Sequence, residues 1–269
     1  MPKRIESPSS INTFLQCPRK YYFQYIEKLP TFANINTLRG NIVHSTLENF
    51  FKQDLAGVDE NNFRDEFVKE IQRIFFVEWG KKSKELKELN LSKNELKFCF
   101  EETMMMLVNW CNYFVEEMKL MLEKRENIED AFNAVKPITE QEFVSEEMLV
   151  RGFIDAIKNV GDEVHILDYK TNNVPEIKES IRIQLGIYSL LYLERNGKFP
   201  DKVGVFFLRD RLQMIPVDED LLETAKQAIH IVHEHTGMFE KKEDYQRKSG
   251  PLCKWKSGKC DFYETCRPF

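Results

Sequence analysis

The chain has 269 residues, a formal net charge of −5 and a hydrophobic content of 42%, which is ordinary for a globular protein. This length fits one large domain or one domain with an insertion. No apolar run approaches the roughly 20 residues of a membrane span, and the first residues lack the apolar core of a signal peptide. We therefore expect a cytoplasmic protein with no membrane partner. The negative balance does not point to a nucleic-acid ligand, but it leaves room for a local basic patch.

Hydrophobic periodicity predicts a mostly helical first half, followed by strands and two further helices. The predicted helices cover residues 9–25, 39–53, 60–80, 92–124, 177–196 and 218–238. The predicted strands cover residues 138–143, 150–158, 163–171, 203–208 and 213–217. Strands and helices in this order favour an α/β layer fold with a mixed sheet.

The second and third predicted strands carry charged residues where core residues are expected. Asp155 lies six residues before a turn glycine and Asp168 seven after it, so antiparallel pairing brings the two carboxylates together. Strand alternation adds Lys170 to the face of Asp168, and it places Phe153, Asp155 and Ile157 on one face. Buried carboxylates are costly unless they hold a cation. The residues therefore indicate a divalent-metal site for phosphodiester cleavage; the alternative is a solvent-exposed hairpin end with salt-bridged charges.

Five short motifs support the interpretation as a metal site because they follow one another in a recognisable order along the chain. They are Cys17-Pro18-Arg19-Lys20-Tyr21-Tyr22 with Cys253, Cys260 and Cys266; Arg39-Gly40-Asn41-Ile42-Val43-His44; Gly152-Phe153-Ile154-Asp155; Asp168-Tyr169-Lys170-Thr171; and Gln184-Leu185-Gly186-Ile187-Tyr188. Together they resemble the PD-(D/E)XK nuclease superfamily. More narrowly they are similar to its RecB-type branch, which includes nuclease domains of bacterial recombination helicase-nucleases and CRISPR-adaptation exonucleases.

The resemblance implies a restriction-endonuclease-like fold, an α/β fold with a mixed central sheet flanked by helices. Residues 1–269 then form a single nuclease domain, with the catalytic sheet core at 136–217. Residues 55–130, which the resemblance does not cover, are expected to be a helical insertion. Residues 240–269 are expected to be a cysteine-rich tail fastened by an iron–sulfur cluster.

The same resemblance, together with the chemistry of the residues, assigns roles in the site. Carboxylates suit Mg²⁺ or Mn²⁺. The expected metal ligands are His44, Asp155, Asp168 and the main-chain carbonyl of Tyr169. The expected catalytic and positioning residues are Asp155, Asp168, Lys170, Gln184 and Tyr188. An acidic residue of the first strand is expected to support the site, and the sequence leaves open whether it is Glu140 or Glu142.

The six cysteines fall into two sets. Cys99 and Cys111 lie in an apolar helical pattern and are expected to pack in the core. The resemblance implies that the other four, Cys17, Cys253, Cys260 and Cys266, ligate one [4Fe–4S] cluster. The gap of six residues between Cys253 and Cys260 is wider than the family's usual spacing, so a zinc ion held by four thiolates stays open as an alternative.

The resemblance thus implies a metal-dependent deoxyribonuclease, a hydrolase that acts as an exonuclease on single-stranded or end-bearing DNA in repair or recombination. The helical insertion is left open as a surface for a protein partner. The competing interpretation is a non-catalytic nucleic-acid-binding or assembly module that kept the fold and the cluster. The intact pair of aspartates with Lys170 speaks against it, because a module that only binds does not need that set.

Overall fold

The computed structural model describes residues 4–32, 34–125, 127–255 and 258–267. The helices of these residues are α1 (Pro8–Gln16), α2 (Pro18–Tyr21), α3 (Ile35–Phe50), α4 (Phe63–Lys81), α5 (Ser83–Glu88), α6 (Lys93–Leu122), α7 (Ile128–Val135), α8 (Glu179–Asn196), α9 (Glu219–Met238) and α10 (Tyr263–Cys266). The strands are β1 (Ile138–Ser145), β2 (Val150–Val160), β3 (Glu163–Lys170), β4 (Lys202–Phe207), β5 (Leu212–Pro216), β6 (Lys254–Trp255) and β7 (Gly258–Lys259).

The first five strands form one mixed sheet in the order β1-β2-β3-β4-β5. Neighbouring strands are antiparallel except β3 and β4, which run parallel and are joined by the crossover helix α8. The turn between β2 and β3 contains Gly161 at φ 62°, a backbone conformation that glycine adopts without steric cost. The predicted α/β fold, with a mixed sheet flanked by helices, is confirmed and is consistent with a restriction-endonuclease-like fold.

Hydrophobic cores cover both faces of this sheet. On one face, α3, α4, α6 and α7 pack over Ala156, Leu167, Tyr169 and Phe206. On the other, α1, α8 and α9 pack over residues such as Ile166 of β3 and several of β4. The site-bearing hairpin of β2 and β3 is therefore held between two layers of helices, which fixes the positions of its charged side chains.

Strict alternation along β2 breaks at Asp155. Ile154 and Ile157, three residues apart, both pack on the α8 side, while Ala156 packs on the other. The expectation that Phe153 shares a face with Ile157 is therefore wrong, and Phe153 is half exposed. The pairing of β1 with β2 passes from Thr139–Ala156 to Gln141–Ile154 and skips Glu140 and Asp155. The φ of Glu140, 48°, is uncommon for a residue other than glycine. A distorted backbone at this point lets both side chains turn into the site.

The predicted first helix is wrong in one respect, because the chain breaks it into pieces. Cys17 is extended, at φ −161°, and separates α1 from α2; a π-helical turn over Tyr22–Ile26 follows α2. The cause is Pro18, which starts α2 and disfavours a helical conformation of the residue before it. The break orients Cys17 differently from the residues of α1.

The segment after α9 packs against this N-terminal region. Arg19 donates its main-chain amide to the carbonyl of Gln246 at 3.2 Å and its Nε to the carbonyl of Tyr245 at 2.8 Å. The rings of Phe23 and Phe262 lie 5.4 Å apart. The two ends of the chain therefore meet. Within the described residues, no helix combines the length and the apolar character that crossing a membrane requires.

Candidate active site

Three side chains with metal-binding atoms meet where α3 crosses the distorted part of the sheet. The ligand atoms of His44, Glu140 and Asp155 all lie within 4.8 Å of one another. His44 Nδ1 is 3.1 Å from Asp155 Oδ1 and 3.5 Å from Glu140 Oε1. The three residues come from α3, β1 and β2, so the group forms only when the helix packs on the sheet. We call it the His44 group.

Asp155 is fixed from both sides. The residue is only 6% exposed. Its Oδ2 accepts a hydrogen bond from the main-chain amide of Tyr169 at 2.8 Å, and its Oδ1 lies beside His44 Nδ1. Burial raises the pKa of Asp155, and the neighbouring carboxylate of Asp168 raises it further. Two buried carboxylates repel each other when both are charged. A cation between or beside them would relieve that repulsion.

Asp168 and Lys170 form a second group with two residues of α8. Lys170 Nζ lies 2.7 Å from Asp168 Oδ2 and donates to Gln184 Oε1 at 3.0 Å. Gln184 Nε2 donates to Asp168 Oδ1 and to the hydroxyl of Tyr188, both at 2.8 Å. The Gln184 amide is therefore used at both ends, which fixes its orientation between the acid and the lysine.

One atom of this group lacks a normal partner. Asp168 is 1% exposed, and its Oδ2 has no hydrogen-bond partner among the described residues, although Lys170 pairs with it electrostatically. The Lys170 ammonium already offsets the charge of this oxygen, which can accept one further positive or donating ligand. A divalent cation is one such ligand.

The electrostatics of the site keep two bases charged. Burial lowers the pKa of His44, but hydrogen bonds to Asp155 and Glu140 and the charges of Asp155 and Asp168 more than offset it and raise the pKa to about 10. Burial likewise lowers the pKa of Lys170, and the Asp168 carboxylate reverses this so that the net shift is upward. Without a metal, the acids are therefore balanced by an imidazolium and an ammonium.

Glu140 rather than Glu142 reaches the site. The Glu142 side chain is exposed, and its main-chain carbonyl accepts a hydrogen bond from Arg195. The positive φ of Glu140 is the structural reason for the difference. Nothing in the alternating pattern of the strand distinguishes the two residues, so the sequence left the choice open.

Tyr169 separates the site from the core. Its side chain is 5% exposed and packs on the α3 and α6 side, with its ring 6.3 Å from that of Trp110. Its main-chain amide is occupied by Asp155. A metal-ligand role for its main-chain carbonyl stays a prediction.

Gly152 has a role that the sequence did not reveal. A Cβ atom at this position would lie 2.9 Å from Cε1 of Tyr188, which is closer than real side chains come. The missing side chain therefore lets the Tyr188 ring lie against β2, and from there its hydroxyl reaches Gln184.

Comparison with known proteins identifies the family of this chain. Residues 6–267 match the family model of the PD-(D/E)XK nuclease superfamily. The chain belongs to the PD-(D/E)XK nuclease superfamily. Fourteen chains of known structure match it. One is a crystal structure of a "Putative exonuclease" from Eubacterium rectale, at 15% identity and a TM-score of 0.47, covering 87% of this chain and 79% of the other. No curated protein matches.

Nucleases of this superfamily typically use divalent metals, and the donor set of this chain fits them. Carboxylate oxygens and an imidazole suit Mg²⁺ or Mn²⁺. The His44 group supplies three such donors, and Oδ2 of Asp168, which lies beside the Lys170 ammonium, is a further candidate. Asp168 lies outside the His44 group and is connected to it through the adjacent strands.

Cysteines from the N-terminal and C-terminal parts of the chain lie at the junction described above. Cys260 donates its main-chain amide to the carbonyl of Cys253 at 3.0 Å. Burial raises the pKa of Cys260 and of Cys266, and the nearby thiol of Cys17 adds to both shifts. All four are partly buried free thiols. Within the described residues their sulfur atoms do not reach the close spacing of the His44 group.

The remaining two cysteines differ from each other. Cys111 is fully buried in the helical core, as expected. Cys99 is only partly buried, and it lies near the charged side chains of Arg39 and Glu102. The expectation of plain core packing therefore holds for Cys111 and not for Cys99.

Proposed function

We propose that this protein is a metal-dependent DNA nuclease of the RecB-type branch, an exonuclease of the cytoplasm that hydrolyses phosphodiester bonds in single-stranded or end-bearing DNA. The observation that carries the proposal is that the His44 group lies close enough to the pair of Asp168 and Lys170 for the charge of Asp168 to raise the pKa of both His44 and Asp155. The preference for single strands or free ends rests on the resemblance of the five motifs to that branch.

His44, Glu140 and Asp155 would hold the metal ion, with Asp168 beside them. When bound, a divalent metal lowers the pKa of a water molecule and neutralises charge on the phosphate and on the leaving oxygen. The protein's part is to present these donors in a buried place where electrostatic interactions are strong. Asp155 does so with both oxygens already oriented, by Tyr169 on one side and His44 on the other.

Lys170 would act on the reacting phosphate directly. Its ammonium group is anchored by Asp168 and Gln184, and it is a quarter exposed, so it is both held and accessible. A fixed positive charge beside a phosphate stabilises the negative charge that increases in the transition state. Gln184 and Tyr188 then act as positioning residues, because they orient Asp168 and Lys170 through hydrogen bonds.

We also propose that Cys17, Cys253, Cys260 and Cys266 ligate a [4Fe–4S] cluster with a structural role. Support comes from four free thiols at one junction, three of them in a tail that is largely irregular. Phosphodiester hydrolysis moves no electrons, so the reaction requires no redox step at that centre. The cluster would fasten the C-terminal tail, residues 240–269, to the N-terminal helices.

In this proposal the whole chain is one nuclease domain. The five strands of the mixed sheet all lie within residues 136–217, the catalytic core. Residues 55–130 carry α4, α5 and α6, and α6 packs on the sheet through Tyr113, whose ring lies 5.1 Å from that of Phe206. We expect this helical insertion to support α3 and to offer the surface for any protein partner.

An end-labelled DNA assay with anaerobically purified protein tests the proposal. Single- and double-stranded DNA are incubated with Mg²⁺, Mn²⁺ or EDTA. We expect cleavage with either metal, none with EDTA, and a loss of at least about a hundredfold in Asp168→Asn. The matched control is Asp162→Asn, the same replacement in the exposed turn at the other end of the hairpin. Binding of DNA by the wild type without any cleavage under these conditions would instead favour the non-catalytic module.

A further inference from the structure

A polar cavity of about 380 Å³ lies beside the candidate active site and takes no part in the chemistry above. One side of it is the first turn of α3, with Asn36 and Arg39. The other side is the segment that follows β3, with Thr171, Asn173 and Lys178 among its residues. Thr171 lines the cavity and comes directly after Lys170 in the sequence, so the cavity is next to the candidate catalytic lysine.

Arg39 lines this cavity and is incompletely paired. It is 5% exposed; its Nη1 donates to Glu102 at 2.7 Å and its Nη2 to Asn36 at 2.9 Å. Its Nε is buried and has no hydrogen-bond partner among the described residues. A buried guanidinium N–H without an acceptor is costly, so an oxygen ligand at this place would relieve the cost.

The charges around Arg39 leave an excess of positive charge. Glu102 forms ion pairs with both Arg39 and Arg209, so a single carboxylate is shared by two guanidinium groups. Arg209 additionally donates its Nε to the carbonyl of Thr171 at 3.2 Å, which holds the cavity wall. Lys178 and Glu176 lie 3.9 Å apart on the exposed rim and offset each other.

The N-termini of α3 and α8 border the cavity. The α3 terminus is capped by Asn34, which accepts a hydrogen bond from the main-chain amide of Thr37, whereas α8 begins after Lys178 with no side-chain cap and with Glu179 in its first turn. The N-terminal end of a helix carries a partial positive charge and free main-chain N–H groups, which favour anions. The cavity therefore combines a buried guanidinium that shares its carboxylate with Arg209, the uncapped N-terminus of α8 and, on its rim, the ion pair of Lys178 and Glu176.

We propose that this cavity binds a phosphate group of the DNA strand next to the phosphate that is cleaved. Arg39 precedes His44 by five residues on α3, which is about 7.5 Å along the helix axis and on the scale of one nucleotide step. The ligand is either an internal phosphodiester or a terminal phosphomonoester of the strand. This inference rests on the proposed function, because it takes the His44 group as the place of cleavage.

The test measures binding without cleavage. Fluorescence anisotropy of a labelled single-stranded oligonucleotide is recorded in EDTA over a range of salt concentrations. Arg39→Gln removes the buried charge, and Lys178→Ala removes the exposed one with little risk to folding. Lys69→Ala, an exposed ion-paired lysine on α4, is the matched control. Melting temperatures show which variants are folded, and Lys178→Ala decides the test if Arg39→Gln is not.

The DNA is varied in parallel. One set of oligonucleotides carries a single neutral methylphosphonate at successive positions, and another set has phosphate or hydroxyl groups at its 5′ and 3′ ends. We expect each cavity variant to bind the oligonucleotide about tenfold more weakly than the wild type. The slope of log affinity against log salt concentration should become about 0.7 less steep, as expected for one lost phosphate contact on a single strand. One neutral linkage or one missing end phosphate should weaken the wild type by a similar factor and leave Arg39→Gln unaffected. An internal position identifies a phosphodiester, and an end-phosphate effect identifies a monoester.

Equal affinity and equal salt slope in the cavity variants and Lys69→Ala would overturn the inference. So would neutral linkages that weaken the wild type and Arg39→Gln equally at every position. The same oligonucleotides, incubated with Mn²⁺, separate this failure from failure of the proposed function. If the DNA is cleaved but Arg39→Gln responds to the DNA changes as the wild type does, only the phosphate site is rejected. If Arg39→Gln is insensitive to those changes but no DNA is cleaved, only the nuclease activity is rejected.

Discussion

The Oδ2 atom of Asp155 on β2 accepts a hydrogen bond from the main-chain amide of Tyr169 on β3 at 2.8 Å. This bond ties a site carboxylate to the backbone of the neighbouring strand, so Asp155 cannot rotate away from His44 without breaking it. It also fixes the part of β3 that carries Asp168 and Lys170 on either side of Tyr169. The position of the whole site therefore depends on the pairing of the two strands.

Glu140 is expected to bind metal, and Glu142 is not. Glu140→Gln removes a charged oxygen from the His44 group and should weaken Mn²⁺ binding by about tenfold or more. Glu142→Gln, the same replacement two residues along β1, should leave the affinity unchanged because its side chain is exposed outside the site. Calorimetric titration with Mn²⁺ measures both. Equal affinities of the two variants would remove Glu140 from the ligand set.

Metal affinity is expected to rise with pH because His44 must lose its proton to bind. The folded, metal-free protein raises the pKa of His44 to about 10, above the value of about 6.5 for an unfolded chain. The stabilisation from its ion pairs is therefore complete below about pH 6.5 and is lost as the pH approaches about 10. Between pH 6.5 and 8.5, Mn²⁺ affinity should increase by about tenfold per pH unit, with one proton released.

Calorimetry in two buffers of different ionisation enthalpy counts that proton. An affinity that is flat with pH, together with no proton release, would show that the metal does not displace a proton from His44. His44→Asn is the internal reference, since it lacks the titrating group and should give a flat profile at lower affinity.

Three variants of the Lys170 group are expected to differ in severity. Lys170→Met should lower the cleavage rate by about 10²–10³, because it removes a charge beside the phosphate. Gln184→Leu should have a smaller effect, since it breaks hydrogen bonds that orient Asp168 and Lys170. Tyr188→Phe removes only the hydroxyl that accepts from Gln184 and should cost less than about tenfold.

Single-turnover rates at saturating DNA measure this order, and Tyr192→Phe, one helical turn along α8, is the control. A Tyr188→Phe variant as slow as Lys170→Met would mean that the tyrosine hydroxyl takes part in the reaction itself, and its role as a positioning residue would then be wrong.

Local periodicity predicted the hairpin and the shared helix face of Gln184 and Tyr188, while the place of that face at the site came from the family resemblance. Asp168 and Lys170 share a face through strand alternation, and Gln184 and Tyr188 share one through helical spacing. The turn glycine set the pairing of β2 with β3. These relations hold within short stretches of chain, so residue spacing is sufficient to find them.

The remaining features of the site depend on packing between residues that are far apart in the sequence. His44 reaches Asp155 because α3 packs across more than a hundred residues of sequence separation. Glu140 points inward because of its positive φ, and no residue type signals that conformation. The break at Cys17 was readable from Pro18, but the periodic aromatic residues around it favoured a continuous helix. Arg39 was visible only as part of a motif, since its pairing with Glu102 crosses from α3 to α6.

Loss of one tail cysteine is expected to lower stability and DNA affinity together. Anaerobic wild-type protein should be brown and contain about four iron and four sulfide ions per chain. Cys260→Ala should lower the melting temperature on the order of 5–15 °C, by comparison with other covalent links of about 2–5 kcal/mol. Cys99→Ala, at a cysteine outside the cluster set, should keep the iron.

Three measurements check this: iron and sulfide analysis, thermal melting and DNA binding. Stoichiometric zinc without sulfide, in protein never exposed to air, would instead favour a tetrathiolate zinc site. A Cys260→Ala variant that is stable and binds DNA normally, yet is inactive, would contradict a purely structural cluster.

The position of bound Mn²⁺ in crystals tests the central claim most directly. Anomalous scattering locates manganese without reference to activity. We predict a strong peak within bonding distance of His44, Glu140 and Asp155, on the side facing Asp168, and its loss in crystals of the Asp155→Asn variant. Manganese bound elsewhere in a protein that cleaves DNA, with no peak at the His44 group, would contradict the account.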